Sequence, residues 1–217
     1  MTLASSPQPT RHGRQRLSAA WLGTRTAAAM MVVALSAATA GCADLSSPGT
    51  TDAPVPGQSV QASAMKASVP LRVEIPDAKI SSRIISLGLN KDRTVAVPPI
   101  QKNDPVGWYK NSPTPGETGP SVLLGHVTVG RYGKGVFSRL EAVDKGDSIL
   151  VTRKDKSTAR FTVDRVKKYP RNKFPTDQVY ANTATPQLRV ITCAGSLNSR
   201  TGQYKENLIV FASLASG

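Results

Sequence analysis

The 217-residue sequence predicts an all-β domain, a barrel or sandwich of about eight short strands, behind an N-terminal export segment and a polar tether. Three observations predict this. From residue 70 onward, short β-branched and apolar runs are separated by turn residues such as Pro76-Asp77, Asn90-Lys91-Asp92 and Asp155-Lys156. No long segment shows the 3.6-residue apolar periodicity of a helix. Residues 43–69 are Ser, Thr, Pro, Ala, Gly and Gln with almost no large apolar side chain, so they cannot bury a core and read as a flexible tether. One domain, 70–217, remains.

In chain order, residues 1–25 are polar, basic and free of acid. Thr26 to Gly41 is an apolar run of small and aliphatic residues, about 16 long, which suits a signal-peptide core better than a membrane span of about 20. It ends Ala40-Gly41-Cys42, similar to the bacterial lipobox in which the cysteine is acylated, although Thr39 stands where an aliphatic residue is usual. Lipidation at Cys42, an uncleaved anchor and simple secretion all stay open. Each exports the chain, and residues 1–41 form the targeting segment with 42–69 as tether.

Within the domain, Leu71–Ile75 alternates as a half-buried strand does, Ser82–Leu89 is a second strand and Thr94–Val97 a third, stopped by Pro98-Pro99. Asp104 to Pro120 reads as a long Gly- and Pro-containing connection. Ser121–Thr128 is apolar enough for a central strand carrying His126 at its end. Gly133–Leu140 is a loop leading into a short helical turn, Ser148–Thr152 is a strand with Asp155-Lys156 at the turn before Ala159–Val166, and Lys173–Tyr180 holds another helical turn. Leu188–Cys193 and Asn207–Ala212 complete the set, the former rich in Val and Ile and closing on its cysteine.

The net charge is +14, and residues 70–217, with 23 basic and 12 acidic side chains, keep +11 of it. Such a field favours an anionic membrane or an acidic wall polymer, or is an ordinary solvated surface. Nucleic acid is the weakest partner, because aromatics are 5% of the chain and neither a zinc pattern nor a basic recognition helix is present.

Cys193 is the only cysteine of the predicted domain and has no intrachain thiol to pair with. A lone thiol is either a buried small hydrophobe or a nucleophile. Exported proteins usually pair or avoid cysteine, which favours a chemical role. Thiol chemistry needs a proton-exchanging partner, and His126 is the one histidine of the domain, 67 residues away, so only folding can join the two. Two such ligands are too few for a metal, and the loops lack an acidic cluster for calcium, so neither metal nor cofactor is expected.

The pattern Leu124-Gly125-His126 with Val190-Ile191-Thr192-Cys193 resembles the sortases. The closer resemblance is to the actinobacterial class F type, through Gly107-Trp108-Tyr109, Pro115-Gly116-Glu117, Gly119-Pro120, Phe137-Ser138-Arg139-Leu140, Val163-Asp164-Arg165-Val166, Thr192-Cys193-Ala194-Gly195 and Thr201-Gly202-Gln203-Tyr204. It spans residues 70 to 213 with the motifs in order, and Ala194 departs from the family's glycine. The resemblance implies an eight-stranded sortase-like β-barrel and a membrane-attached, monomeric cysteine transpeptidase. It implies cleavage of an LPXTG-like sorting signal between Thr and Gly, with transfer to an amine such as a peptidoglycan precursor. By the same carry-over Cys193 is the nucleophile, His126 the acid and base, and Val127, Thr192 and Ala194 line the substrate. An arginine would hold the developing oxyanion. Asn207 and Gly202 stand at candidate places for it, and Arg200, the only arginine after Cys193, is taken as that residue. A thiol peptidase hydrolysing the same signal and a non-catalytic, wall-binding barrel are the competing readings.

Overall fold

The computed structural model describes residues 62–216. The targeting segment, Cys42 and most of the tether lie outside them. Eight strands close into one barrel: β1 Pro70–Ile75, β2 Ile80–Leu87, β3 Val106–Tyr109, β4 Gly119–Leu124, β5 Ser148–Arg153, β6 Thr158–Pro170, β7 Pro186–Leu197 and β8 Tyr204–Leu214. Around the barrel the order is β1-β2-β3-β4-β7-β8-β6-β5. The β2–β3 and β4–β7 pairs are parallel and every other neighbouring pair is antiparallel. Among the described residues one short helix, α1 Thr176–Tyr180, and three 3-10 turns lie in the connections. Among the described residues no helix is long and apolar enough to cross a membrane.

The strand set changes at two members, and the expected strand Ser121–Thr128 stops at Leu124, two residues short of His126. Thr94–Val97 is not a strand; Val95 makes only an isolated bridge to Leu89 before Pro98-Pro99 removes further donors. The missing member is β3, inside the expected connection 104–120. Its four residues are all buried, so it shows no alternation to read.

The long strands β7 and β8 are covered on both faces. Leu188, Val190, Ala194, Leu208, Val210 and Ala212 join the barrel interior. Ile191, Ile209 and Phe211 face outward into a second cluster, capped by Leu87, Val95, Tyr109 and Val179. Double burial makes β7 a continuous apolar run rather than an alternating one. The expected tether also ends earlier than 69. Met65 N–H donates to the Gly116 carbonyl at 2.8 Å and Ser68 N–H to Thr114 Oγ1 at 3.0 Å, so residues 65–69 are bonded to the barrel.

Candidate active site

β4 and β7 run parallel with Leu124 level with Ile191. Gly125 N–H donates to the Ile191 carbonyl at 3.1 Å, carrying the pairing past the end of β4. Thr192 Oγ1 then donates to the Gly125 carbonyl at 2.9 Å. Continued by one more step, this register sets His126 level with Cys193. Side chains alternate along a strand, so Cys193 lies on the same outward face as Ile191, and His126 follows Leu124 onto that face.

Cys193 does not end its strand as the sequence suggested; β7 continues to Leu197. The pairing with β8 shifts between Ala194 and Leu197, where Gly195 adopts φ 74°, a conformation open to glycine at little cost. Cys193 is half-buried, and burial pushes its thiol above the usual range, with the Arg171 guanidinium drawing it partly back. Directly across on β8 stands Asn207.

His126 is buried, and its Nε2 lies 2.8 Å from the Pro98 carbonyl. After it the chain forms an arm closed by Phe137 N–H to the His126 carbonyl at 2.8 Å and Gly135 N–H to the Val127 carbonyl at 2.9 Å. Gly125 makes room for this arm, since a Cβ there would sit 2.4 Å from the Phe137 ring. Asp104 secures the arm's base, its carboxylate oxygens accepting the Val136 N–H at 3.1 and 3.2 Å. Burial raises the Asp104 carboxyl, opposed by that N–H and by the charge of His126. Tyr204 O–H meets Thr128 Oγ1 at 3.3 Å and ties the arm to the start of β8.

The other expected site residues scatter. Val127 is half-buried at the arm's base. Thr192 and Ala194 have side chains 1% and 3% exposed, on the interior side of β7, so neither side chain lines an outward-facing groove. Arg200 is exposed in the turn between β7 and β8, its N–H bonded to Asn198 Oδ1. That turn lies beyond the Leu197–Tyr204 pair, four residues past Cys193, or about 13 Å along the strand. Arg200 is therefore not beside the thiol. Sequence reasoning did not assign roles to Asp104, Pro98 or Arg171. Pro98 was legible only as a strand stop, and the others carried no signal without the register. Among the described residues no group of three His, Cys, Asp or Glu side chains could hold a metal ion.

The family described as Sortase domain matches residues 73–215. Among solved structures, the chain resembles Streptococcus agalactiae sortase C1 in complex with MTSET, at 18% identity and TM-score 0.52, covering 71% of this chain and 72% of that one. It resembles a Clostridium perfringens sortase D5 transpeptidase at 20% identity and TM-score 0.51, covering 69% and 79%. Sortase C-1 of Actinomyces oris is similar at 21% identity and TM-score 0.50, covering 67% and 73%. These likenesses show the shared barrel. No curated protein sequence matches the chain. With the family match spanning residues 73–215, the chain belongs to the sortase family and is a cysteine transpeptidase of that type.

Proposed function

We propose that this sortase is a class F-type enzyme, attached to the membrane through its N-terminal segment, that cleaves an LPXTG-like signal between Thr and Gly and transfers the new carboxyl end to an amine. The observation that supports the reading is the β4–β7 register, which, continued two residues past the Leu124–Ile191 pair, brings His126 level with Cys193. The ordered motifs from Gly107-Trp108-Tyr109 to Thr201-Gly202-Gln203-Tyr204 support class F. The lipobox-like Ala40-Gly41-Cys42 supports anchoring by acylation of Cys42, and the exported setting supports a peptidoglycan-precursor amine as acceptor.

In the first half-reaction Cys193 Sγ, as thiolate, bonds to the Thr carbonyl carbon while the carbonyl π pair moves to oxygen. The tetrahedral species collapses, the C–N bond breaks, and the glycine amine leaves with a proton from His126. A thioester on Cys193 remains. In the second half an incoming amine loses its proton to His126, attacks the thioester carbon and expels the sulfur. The monomer suffices for this, as both side chains come from one barrel.

Incubation of the full chain with an LPXTG-type peptide, followed by mass spectrometry, is expected to show an acyl adduct on Cys193 and none in Cys193→Ala. Added amine should divert product from free acid to amide. Free acid alone at saturating amine makes the enzyme a hydrolase; turnover by Cys193→Ala removes the covalent route.

A further inference from the structure

The oxyanion of this reaction needs a hydrogen-bond donor beside the sulfur, and Arg200 lies in the exposed turn beyond the Leu197–Tyr204 pair, which is itself four strand residues from Cys193. The position directly across from Cys193 on β8 is held by Asn207. Opposed residues of an antiparallel pair project to the same face with Cβ atoms about 4.5–5.5 Å apart. Asn207 is also paired with Tyr169 on β6, so it lies centrally on this face rather than at its edge. It is 4% exposed, yet among the described residues its carboxamide takes part in no hydrogen bond. A nearly buried amide without a partner is costly, and such groups are usually satisfied.

We infer that Asn207 is a catalytic residue whose Nδ2–H donates to the carbonyl oxygen of the scissile bond as negative charge develops there. The inference rests on the transpeptidase reading above. When Cys193 Sγ bonds to the carbonyl carbon, the π pair goes to oxygen and is held by the Asn207 N–H. When that pair returns, the bond to the leaving amine breaks and the amine takes its proton from His126. A neutral carboxamide serves in place of a cation because its N–H is held on the face of Cys193 in a nearly water-free position, where a hydrogen bond to a developing oxyanion is worth more than in water.

The test compares Asn207→Ala, Asn207→Leu and Asn207→Gln in the full chain by steady-state kinetics on an LPXTG-type peptide and by the rate of iodoacetamide alkylation of Cys193. Alkylation uses the same thiolate but builds no oxyanion. Ala and Leu are expected to lose about 10²–10³ in kcat with KM within about threefold, while alkylation stays within about threefold. Leu has the branching and heavy-atom count of Asn and leaves no void, so a loss common to both variants is not a cavity effect. Gln should recover at least about tenfold over Leu, a comparison that also stands if Ala does not fold. The inference is overturned by a kcat within about fivefold in Leu, by an equal fall of alkylation and kcat, or by the same loss appearing in Arg200→Ala instead. A wild-type chain that forms no adduct on Cys193 overturns the transpeptidase reading itself, which these variants do not address.

Discussion

Thr192 Oγ1 donates to the Gly125 carbonyl at 2.9 Å, so the residue before the candidate nucleophile is bonded to the residue before the candidate base. Thr192 is 1% exposed, and this bond crosses the parallel β4–β7 seam from inside the barrel. Thr192→Val keeps the shape and removes the donor. Because a buried acceptor then loses its partner, the expected cost is about 1–3 kcal/mol, read as a lower urea midpoint at unchanged slope. Thr192→Ser should retain most of the stability. A Val variant as stable as the unaltered protein would mean that the seam does not depend on this hydroxyl.

The contrast between Thr192 and Cys193 shows what the sequence could and could not reveal. The runs at Leu71–Ile75, Ala159–Val166 and Asn207–Ala212 were legible as strands because their periodicity or β-branched content survives in the sequence. In β7 both faces are buried, so nothing in Val190-Ile191-Thr192-Cys193-Ala194 marks which side chains face the interior. The resemblance therefore offered Thr192 and Ala194 as substrate contacts, while pairing turns both side chains inward and Cys193 outward. Arg200 is preferred on residue type although Asn207 already stands at a candidate place in the sequence, and the β7–β8 register is what sets Asn207, not Arg200, across from Cys193. β3 was hidden because four fully buried residues containing Gly107 look like a connection.

His126 makes a tautomer prediction. A carbonyl can only accept, so the 2.8 Å contact between Nε2 and the Pro98 carbonyl requires the proton on Nε2. In the neutral ring Nδ1 then carries the lone pair and is the nitrogen able to take a proton from a thiol or amine. Long-range 1H–15N spectra of the resting protein should show the Nε2–H form. A dominant Nδ1–H form would mean that Pro98 does not orient the base.

Cys193 makes a pH prediction. Burial raises its thiol and Arg171 opposes the rise, so the protonated form is the one the fold favours. Folded stability linked to this group is complete below the ordinary thiol range of about 8.5 and falls as pH climbs through the higher folded value. The alkylation rate of the substrate-free enzyme should accordingly rise with a midpoint above that range. Arg171→Ala, which removes one opposing charge, should move the midpoint higher still. An unchanged midpoint in that variant would assign the shift to burial alone.

The segment before β1 should contribute measurably to stability. Arg153 closes β5 with its side chain 1% exposed, and its nearest carboxylate, Asp155, is 4.0 Å away and half in solvent. Its Nη2 instead donates to the Lys66 carbonyl, and Nη1 reaches Met65 Sδ at 3.2 Å. The main chain adds bonds from Met65 to Gly116, from Ser68 to Thr114 and from Lys154 to Val69. A chain beginning at Pro70 loses all of these and opens Arg153 to water, which offsets part of the loss by hydrating the guanidinium. At about 0.5–1.5 kcal/mol for each ordinary bond, less the ordering entropy of the segment, the net cost should be about 2–3 kcal/mol. For a domain of this size that lowers the melting midpoint by about 5–10 °C relative to a chain beginning at Ala62. Equal midpoints would show that residues 62–69 rest on the barrel without stabilising it. A drop that Met65→Ala alone reproduces would locate the effect in packing against Gly116 and Arg153 rather than in the main-chain bonds.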